Sequence, residues 1–390
     1  MECTYVPSLV GSAVKVVHII IGLNIGGAEL MMTRLIENQA GDQLGEHIVI
    51  SLTDGGALAT PLRKRGVRVI CLGVSSVFGG LSGYFKLCRL LKELNPDIVQ
   101  TWMYHADLIG GLAAKTAGFK NIVWNVRSTH INKGGSKLTL LVRKVCALLS
   151  YRVPKKIICV AEVSRKVHES IGYCPSKMVV LPNGFSPKVS SLNENEKTTL
   201  RNELGVSDKD IVIISVGRFN PDKDHKTLIS AGKIVSEESP NVKFLLVGRN
   251  VTVANKELSG FINQFECNRN FILLGERSDV ADLLSISDIF CLHSITEGFP
   301  NALGEAMLSK LPCVTSDVGD AGYLLCQPNW TVAPSNPGLL ARKLMDLISM
   351  PHNERKKIGA KGHQRILQHF TMKAVSERYV ELYQELIRKS

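Results

Sequence analysis

The chain has 390 residues, of which 45% are hydrophobic and 21% charged, the profile of a soluble globular protein. Its length suits two domains of about 200 residues each. No stretch reaches the roughly 18 uncharged apolar residues of a membrane span. The nearest, Val6 to Ile25, is interrupted by Lys15 and His18, and its second half reads as a buried strand rather than a signal peptide. Ten cysteines are scattered without a CxxC pair or a Cys/His cluster, which argues against a zinc site or a disulfide framework and suits a reducing cytoplasm.

The net charge of +12 is unevenly placed: residues 1–190 carry 23 Lys+Arg against 11 Asp+Glu, and residues 191–390 carry 24 of each. Two domains with different partners would differ in this way. Basic clusters occur at Arg63-Lys64-Arg65 with Arg68, at Arg143-Lys144 and at Lys155-Lys156. They fit a solvated basic face, or attraction to an anionic membrane surface at about 1 kcal/mol per basic residue. No recognition motif or aromatic-rich basic patch accompanies them, so nucleic acid is not expected as a partner.

In the first half, apolar strands are expected at Val16–Ile21, His47–Leu52, Val67–Leu72, Asp97–Thr101, Asn121–Val126, Lys156–Val160 and Met178–Leu181. Amphipathic helices are expected between several of them, at Ala28–Gln39, Tyr84–Leu94 and Lys137–Leu149. Continuous apolar strands separated by helices predict a parallel sheet covered on both faces, with right-handed crossovers. After the first strand, Gly22-Leu-Asn-Ile-Gly26-Gly27-Ala28-Glu29 opens a helix. Such a turn is either a plain helix start or a place where backbone approaches a phosphate or sugar. It lacks the G-x-G-x-x-G spacing of a dinucleotide fingerprint. His105 and the turn Asn125-Val-Arg127-Ser-Thr129-His130 each follow a strand's carboxyl end, where open α/β sheets bind ligands. Beyond Leu181-Pro182-Asn183-Gly184, the polar stretch Ser186–Lys197 reads as a linker and coincides with the charge break.

The second half repeats the alternation, with strands expected at Ile211–Val216, Lys243–Val247, Phe271–Leu274, Ile289–Leu292 and Cys313–Thr315. After the first comes Gly217-Arg218-Phe219-Asn220-Pro221-Asp222-Lys223. Arg218 offers a planar fork of donors and Lys223 a point charge, a pair suited to a diphosphate. Asp222-Lys223-Asp224 matches a metal-binding DxD superficially, but it sits in a turn downstream of Gly217-Arg218, so no metal is expected. Gly275-Glu276-Arg277 follows another strand. Then comes Cys291–Asp317, CLHSITEGFPNALGEAMLSKLPCVTSD. A strand breaks at Ser294-Ile295-Thr296, and from Asn301 the apolar residues recur at helical spacing. Pro300 suits the first helical turn. The amides of Asn301, Ala302 and Leu303 then lie near a free helix start, which is an anion site. Glu297 on the loop and Glu305 in the helix flank it. An ionised carboxylate only accepts hydrogen bonds, so each acid would face hydroxyl groups, one on a ribose and one on a second polyol. An anion between a ribose and a sugar is a nucleotide-diphosphate sugar. From about Pro337 the chain forms three helical segments, the last with Val375, Tyr379, Leu382, Tyr383 and Leu386 on one face.

The run EGFPNALGEAM resembles the Glu-x7-Glu signature of the retaining glycosyltransferases with the GT-B fold, family 4 (glycosyl transferases group 1). GGAE, LPNG and G-R-x4-K are similar to other elements of that family, so the resemblance covers nearly the whole chain. It implies an α/β fold of two Rossmann-like domains facing across a cleft: an acceptor-binding domain at 1–190, a nucleotide-sugar-binding domain at 191–370, and a C-terminal helix at 371–390 crossing back to the first. It implies that Arg218 and Lys223 hold the donor's diphosphate, with Gly217 beside them, and that Glu297 orients the sugar and Glu305 the ribose. It places Phe299, Pro300, Asn301, Ala302 and Leu303 along the donor, the turn carrying Arg277 at the nucleotide base, and Gly26, Gly27 and His105 near the transferred sugar. Beyond Asp317, Val318-Gly319-Asp320 departs from the family's usual glycine–acid ending, which bears on sugar or acceptor contacts. The expected activity is transfer from a UDP-linked donor to a glycan or polyprenyl-linked acceptor in cell-surface polysaccharide synthesis. No cofactor or metal is expected, and the location would be cytoplasmic, peripheral on the inner face of the plasma membrane. The alternatives are a GT-B sugar-nucleotide epimerase and a catalytically retired basic membrane-binding scaffold.

Overall fold

The computed structural model describes residues 14–39, 45–74, 77–129, 137–186 and 190–389. The chain divides into two compact units. The first comprises the residues up to Val160, Arg165–Leu181 and the chain from Ser376; the second comprises Ala161–Ser164 and Pro182–Val375.

The first unit is built on seven parallel strands: β1 (Lys15–Ile20), β2 (Glu46–Ser51), β3 (Arg68–Cys71), β4 (Ile98–Trp102), β5 (Ile122–Val126), β6 (Lys156–Cys159) and β7 (Met178–Val180). Their order is β3-β2-β1-β4-β5-β6-β7. The chain winds outward in both directions from β1 and β4, so the switch point lies between them. Val16, Val17, Ile48, Ile50, Ile98, Val99, Ile122 and Val123 are all wholly buried, as strands covered on both faces must be. One face carries the helices Val77–Leu94, Tyr104–Thr116 and Lys137–Leu149, joined in a core through Leu87, Ala113, Trp124, Val142 and Cys146. The last helix, Met372–Arg388, lies over a polar stripe of the same sheet. There the Tyr383 hydroxyl donates to Gln100 Oε1, and Tyr379 Oη accepts from Asn125 Nδ2 at 3.0 Å and Arg127 at 3.2 Å.

The second unit has six parallel strands: β8 (Ile211–Val216), β9 (Val242–Val247), β10 (Phe271–Leu273), β11 (Ile289–Leu292), β12 (Cys313–Ser316) and β13 (Thr331–Val332). Their order is β10-β9-β8-β11-β12-β13, with the switch between β8 and β11.

Strand positions follow the sequence expectation closely, and four details differ. The helix expected from Tyr84 starts at Val77, because Gly79, Gly80 and Gly83 dilute the apolar pattern there. Strand β13 has two residues, too few for periodicity to show. Pro300 is the residue before the helix, with φ −76° and ψ 106°, and the helix runs from Asn301. The expected linker Ser186–Lys197 already contains the start of the helix Glu194–Glu203, held by a reciprocal pair in which Asn193 Oδ1 accepts from the Glu196 amide and Glu196 accepts from the Asn193 amide. Residues 187–189 of that stretch, and His130 of the Asn125–His130 turn, lie outside the described residues.

Candidate functional site

In the second unit, the carboxyl ends of β8, β9 and β10 are laced together through glycine. The Gly217 amide donates to Val247 O at 2.8 Å, and the Gly248 amide donates to Gly275 O at 2.7 Å. Gly248 has φ 153°, and a Cβ there would lie 2.2 Å from Gly217 O, so only glycine permits this approach. Beyond Gly217 the chain reaches Arg218, which is exposed, and a short 3-10 turn Pro221–Lys223. Asn220 Oδ1 accepts from the Asp222 amide at 2.8 Å, and Asp224, at φ 49°, caps the helix His225–Glu238 through the Thr227 amide. The Asp224 carboxylate also accepts from Ser335 Oγ at 2.9 Å. Asp224 is thus engaged in holding the turn. Among the described residues, no group of three or more His, Cys, Asp and Glu side chains is placed to hold a metal ion.

The turn carrying Lys223 is tied to the loop after β11. The Ile295 amide donates to Asp222 O at 2.8 Å. Lys223 Nζ meets Glu297 Oε1 at 2.5 Å, and Ser294 Oγ donates to the same oxygen at 2.6 Å. Ser316 Oγ donates to Ser294 O at 2.7 Å, bracing that serine from β12. The pair is largely shielded, with side-chain exposures of 24% for Lys223 and 12% for Glu297. Behind it sit two buried imidazoles: His293 Nε2 and Ser215 Oγ are hydrogen-bonded at 2.8 Å, and the His225 ring stands edge-on to His293 with centroids 5.1 Å apart. Burial, together with the nearby Lys223 ammonium, lowers both pKa values, His225 to about 4. Both rings are therefore neutral and add no further positive charge beside Lys223.

Immediately after the Glu297 loop, the helix Asn301–Leu308 starts with no side-chain cap. Its first amides are the orphan donors of a helix start, aligned with the positive end of the dipole. Phe299 is buried, its ring 6.1 Å from Phe185 and 5.6 Å from Phe370. Asn301 Oδ1 accepts from Asn183 Nδ2 at 2.7 Å. Leu303 is wholly buried, while Asn301, Ala302 and Glu305 are partly exposed. The loop is clamped from the β12 side: the Asp320 amide donates to Gly298 O at 2.9 Å, and a Cβ on Gly319, at φ 57°, would lie 2.3 Å from Glu297 O.

The structure brings together Gly217, Lys223 and Glu297, with Arg218 on the same turn and the helix start directly following in the chain. A Cβ on Gly217 would lie 3.4 Å from the Lys223 stem. Arg277 forms a two-bond pair with Asp279 at 2.8 Å and 2.5 Å at the surface. In the first unit, Gly26-Gly27 and His105 follow β1 and β4, which are neighbours at the switch point. The Glu29 carboxylate folds back over Gly26, so close that a Cβ on Gly26 would lie 2.4 Å from Oε2, and burial raises its pKa. His105 is half-buried, which lowers its pKa. It follows Met103, whose φ of 71° and ψ of 160° are costly for any residue with a Cβ.

The sequence marks Ser294 only as a strand break and Gly319 only as part of a departing run, and carries no sign of a role for Ser316, His293 or Gly248. Serine and histidine at strand ends carry no spacing signal. The two glycines are recognisable only once the chain segments they separate are known to touch.

Two family models match. The one described as "Glycosyl transferases group 1" covers residues 196–365, and "Glycosyltransferase Family 4" covers residues 25–189. A UDP-Gal:alpha-D-GlcNAc-diphosphoundecaprenol alpha-1,3-galactosyltransferase of Escherichia coli is 26% identical over 80% of this chain and 82% of its own. An N,N'-diacetylbacillosaminyl-diphospho-undecaprenol alpha-1,3-N-acetylgalactosaminyltransferase of Campylobacter jejuni is 26% identical over 84% and 88%. Among solved structures, Anabaena HepE in complex with UDP superposes with a TM-score of 0.83 at 22% identity, covering 95% of this chain and all of that one.

Proposed function

The chain belongs to the group 1 and family 4 glycosyltransferases and has their α/β GT-B fold, and on that premise we propose that it moves a sugar from a UDP-linked donor to a lipid-linked glycan with retention of anomeric configuration. Its relatives are transferases of capsule and surface-glycan synthesis, which does not favour the epimerase alternative. The observation that carries the reading is the shielded Lys223–Glu297 pair at 2.5 Å, next in the chain to an uncapped helix start. The donor base is drawn from the E. coli relative, whose name specifies UDP-Gal, and the acceptor class from two relatives named for undecaprenol diphosphates. Such an acceptor puts the work at the inner face of the plasma membrane.

Arg218, Lys223 and the amides of Asn301, Ala302 and Leu303 take the charge that builds on the departing diphosphate. Preorganised donors of this kind contribute about 3–4 kcal/mol each. Gly217 lets the phosphates approach the backbone. Glu297 accepts from the sugar hydroxyls and Glu305 from the ribose. Phe299 and Pro300 shape the loop, and the Gly275–Arg277 turn meets the base. His105 and Gly26-Gly27 serve the transferred sugar. The acceptor oxygen bonds to the anomeric carbon on the face the diphosphate leaves, and the acceptor proton passes to the departing phosphate oxygen. With two cations and a helix start in place, no metal is required.

The test is a reaction of UDP-sugars with a diphosphate-linked monosaccharide lipid, with product configuration read by NMR. UDP release should depend on acceptor, persist with a chelator and give the retained anomer. Arg218→Ala should turn over about a hundredfold more slowly or worse. An inverted product, or full turnover by that variant, contradicts the proposal.

A further inference from the structure

Two helices of the first unit, on either side of a third, expose apolar side chains where a solvated helix presents polar ones. The helix Lys137–Leu149 buries Val142, Cys146 and Ala147 against its sheet. Its outward row is Leu138, Leu141 and Leu148, which are 60%, 59% and 78% exposed, and it continues past the helix end to Tyr151 at 56%. Lys137, Lys144 and Arg152 are exposed along the same row. The helix Tyr104–Thr116 packs beside it through Cys146 Sγ and Tyr104 O, 3.4 Å apart. Beyond that lies the helix Val77–Leu94, tied on by the Tyr84 and Thr116 hydroxyls at 2.7 Å, with Leu81 70% and Phe85 64% exposed.

We propose that this face is a docking surface for an anionic lipid bilayer. Charge complementarity selects the occupant. Lys137, Lys144 and Arg152 are the charged residues exposed on this row, and from Lys137 to Arg152 the chain carries no acid. Leucines interleaved with lysines along one helix row match a surface that is apolar within and anionic at its headgroups. Among the described residues no helix is long and apolar enough to cross a membrane, so the row lies on the bilayer, its leucines entering about 5–10 Å. Position agrees with chemistry. Helices that return antiparallel to parallel strands begin at the strands' carboxyl edge, so Leu81, Phe85, Leu138 and Leu141 lie towards the edge that carries Gly26-Gly27 and His105. A lipid-linked acceptor is thereby met at the edge that binds ligands. This deepens the proposed function and rests on its lipid-linked acceptor.

The experiment is cosedimentation of the full chain with vesicles containing phosphatidylglycerol or phosphatidylcholine alone, at low and high salt, paired with two transfer assays, one on vesicle-embedded acceptor and one on a short-chain soluble acceptor. Wild type should bind the anionic vesicles, less so at high salt. The triple variant Leu138→Ser/Leu141→Ser/Leu148→Ser should bind about a hundredfold more weakly, and Lys137→Glu/Lys144→Glu about tenfold more weakly. Both should keep wild-type transfer to the soluble acceptor and lose it on vesicles. Wild-type vesicle binding by the folded triple variant overturns the inference. So does a dimer that the triple variant dissociates without any vesicle binding, which would assign the face to a second copy. Transfer to the soluble acceptor without vesicle binding sinks the docking surface alone. Vesicle binding through this face with no transfer to either acceptor sinks the proposed function and leaves the surface standing.

Discussion

Lys223 and Glu297 neutralise each other at 2.5 Å before any ligand arrives. On the proposed function, this removes the difficulty of an acid beside an anion site. A bare carboxylate would repel a diphosphate, whereas one already paired with an ammonium can turn its remaining lone pairs to sugar hydroxyls. The sequence placed both residues at strand ends and gave each its own partner; their direct pairing was not legible, because 74 residues separate them. The loop's geometry depends on Gly319 more than on any polar group. Its φ of 57° and the 2.3 Å from a notional Cβ to Glu297 O mean that Gly319→Ala must displace that carbonyl. A shift of about 1 Å at a reacting centre costs on the order of a hundredfold in rate. Gly319→Ala should therefore keep a cooperative thermal transition and lose about a hundredfold in kcat/KM; unchanged turnover in a folded variant would show that the Glu297 loop tolerates movement.

The polar stripe beneath the last helix is an element-scale device with a pH dependence. Trp102 Nε1 donates to His18 Nδ1 at 3.2 Å, so His18 carries its proton on Nε2 and donates to His47 Nδ1 at 3.0 Å. Both imidazoles are neutral, and burial lowers both pKa values, His47 to about 4. A group depressed on folding takes up protons first in the unfolded chain, so its stabilisation is complete above the unfolded value of about 6.5 and is lost as pH falls toward 4. His47 alone accounts for about 2 kcal/mol between about pH 7 and pH 5. Urea unfolding at the two pH values should show that loss in the wild type and a loss smaller by about that amount in His47→Leu. Equal losses in both proteins would place the protonation elsewhere. The strands bearing these histidines were legible from apolar runs, but the His–His–Trp relay was not. It needs the order β2-β1-β4, which no local pattern contains.

At the scale of the molecule, the first unit is completed by the end of the chain. From Ser376 the last helix belongs to it, with Tyr379 and Tyr383 wholly buried and Lys155 Nζ donating to Leu386 O at 2.9 Å. A fragment of residues 1–190 should therefore fail to unfold cooperatively alone and should gain a transition when a peptide of residues 371–390 is added; a cooperative transition without the peptide contradicts this. Alternation of apolar runs and helices made both parallel sheets readable, since a strand buried on both faces leaves an uninterrupted signature. The docking of Tyr379 on Asn125 and Arg127 was not readable, because an amphipathic helix shows that it has a partner and not which one.

On the proposed function, the second unit grips a nucleotide diphosphate through Lys223 and its neighbours. Calorimetric titration of the wild type and Lys223→Met with UDP tests it most directly. The wild type should bind UDP saturably and the variant about tenfold or more weakly, since one charged hydrogen bond is worth about 1.5–3 kcal/mol. Equal affinities in the two proteins, or no binding of any nucleoside diphosphate by the wild type, would contradict it.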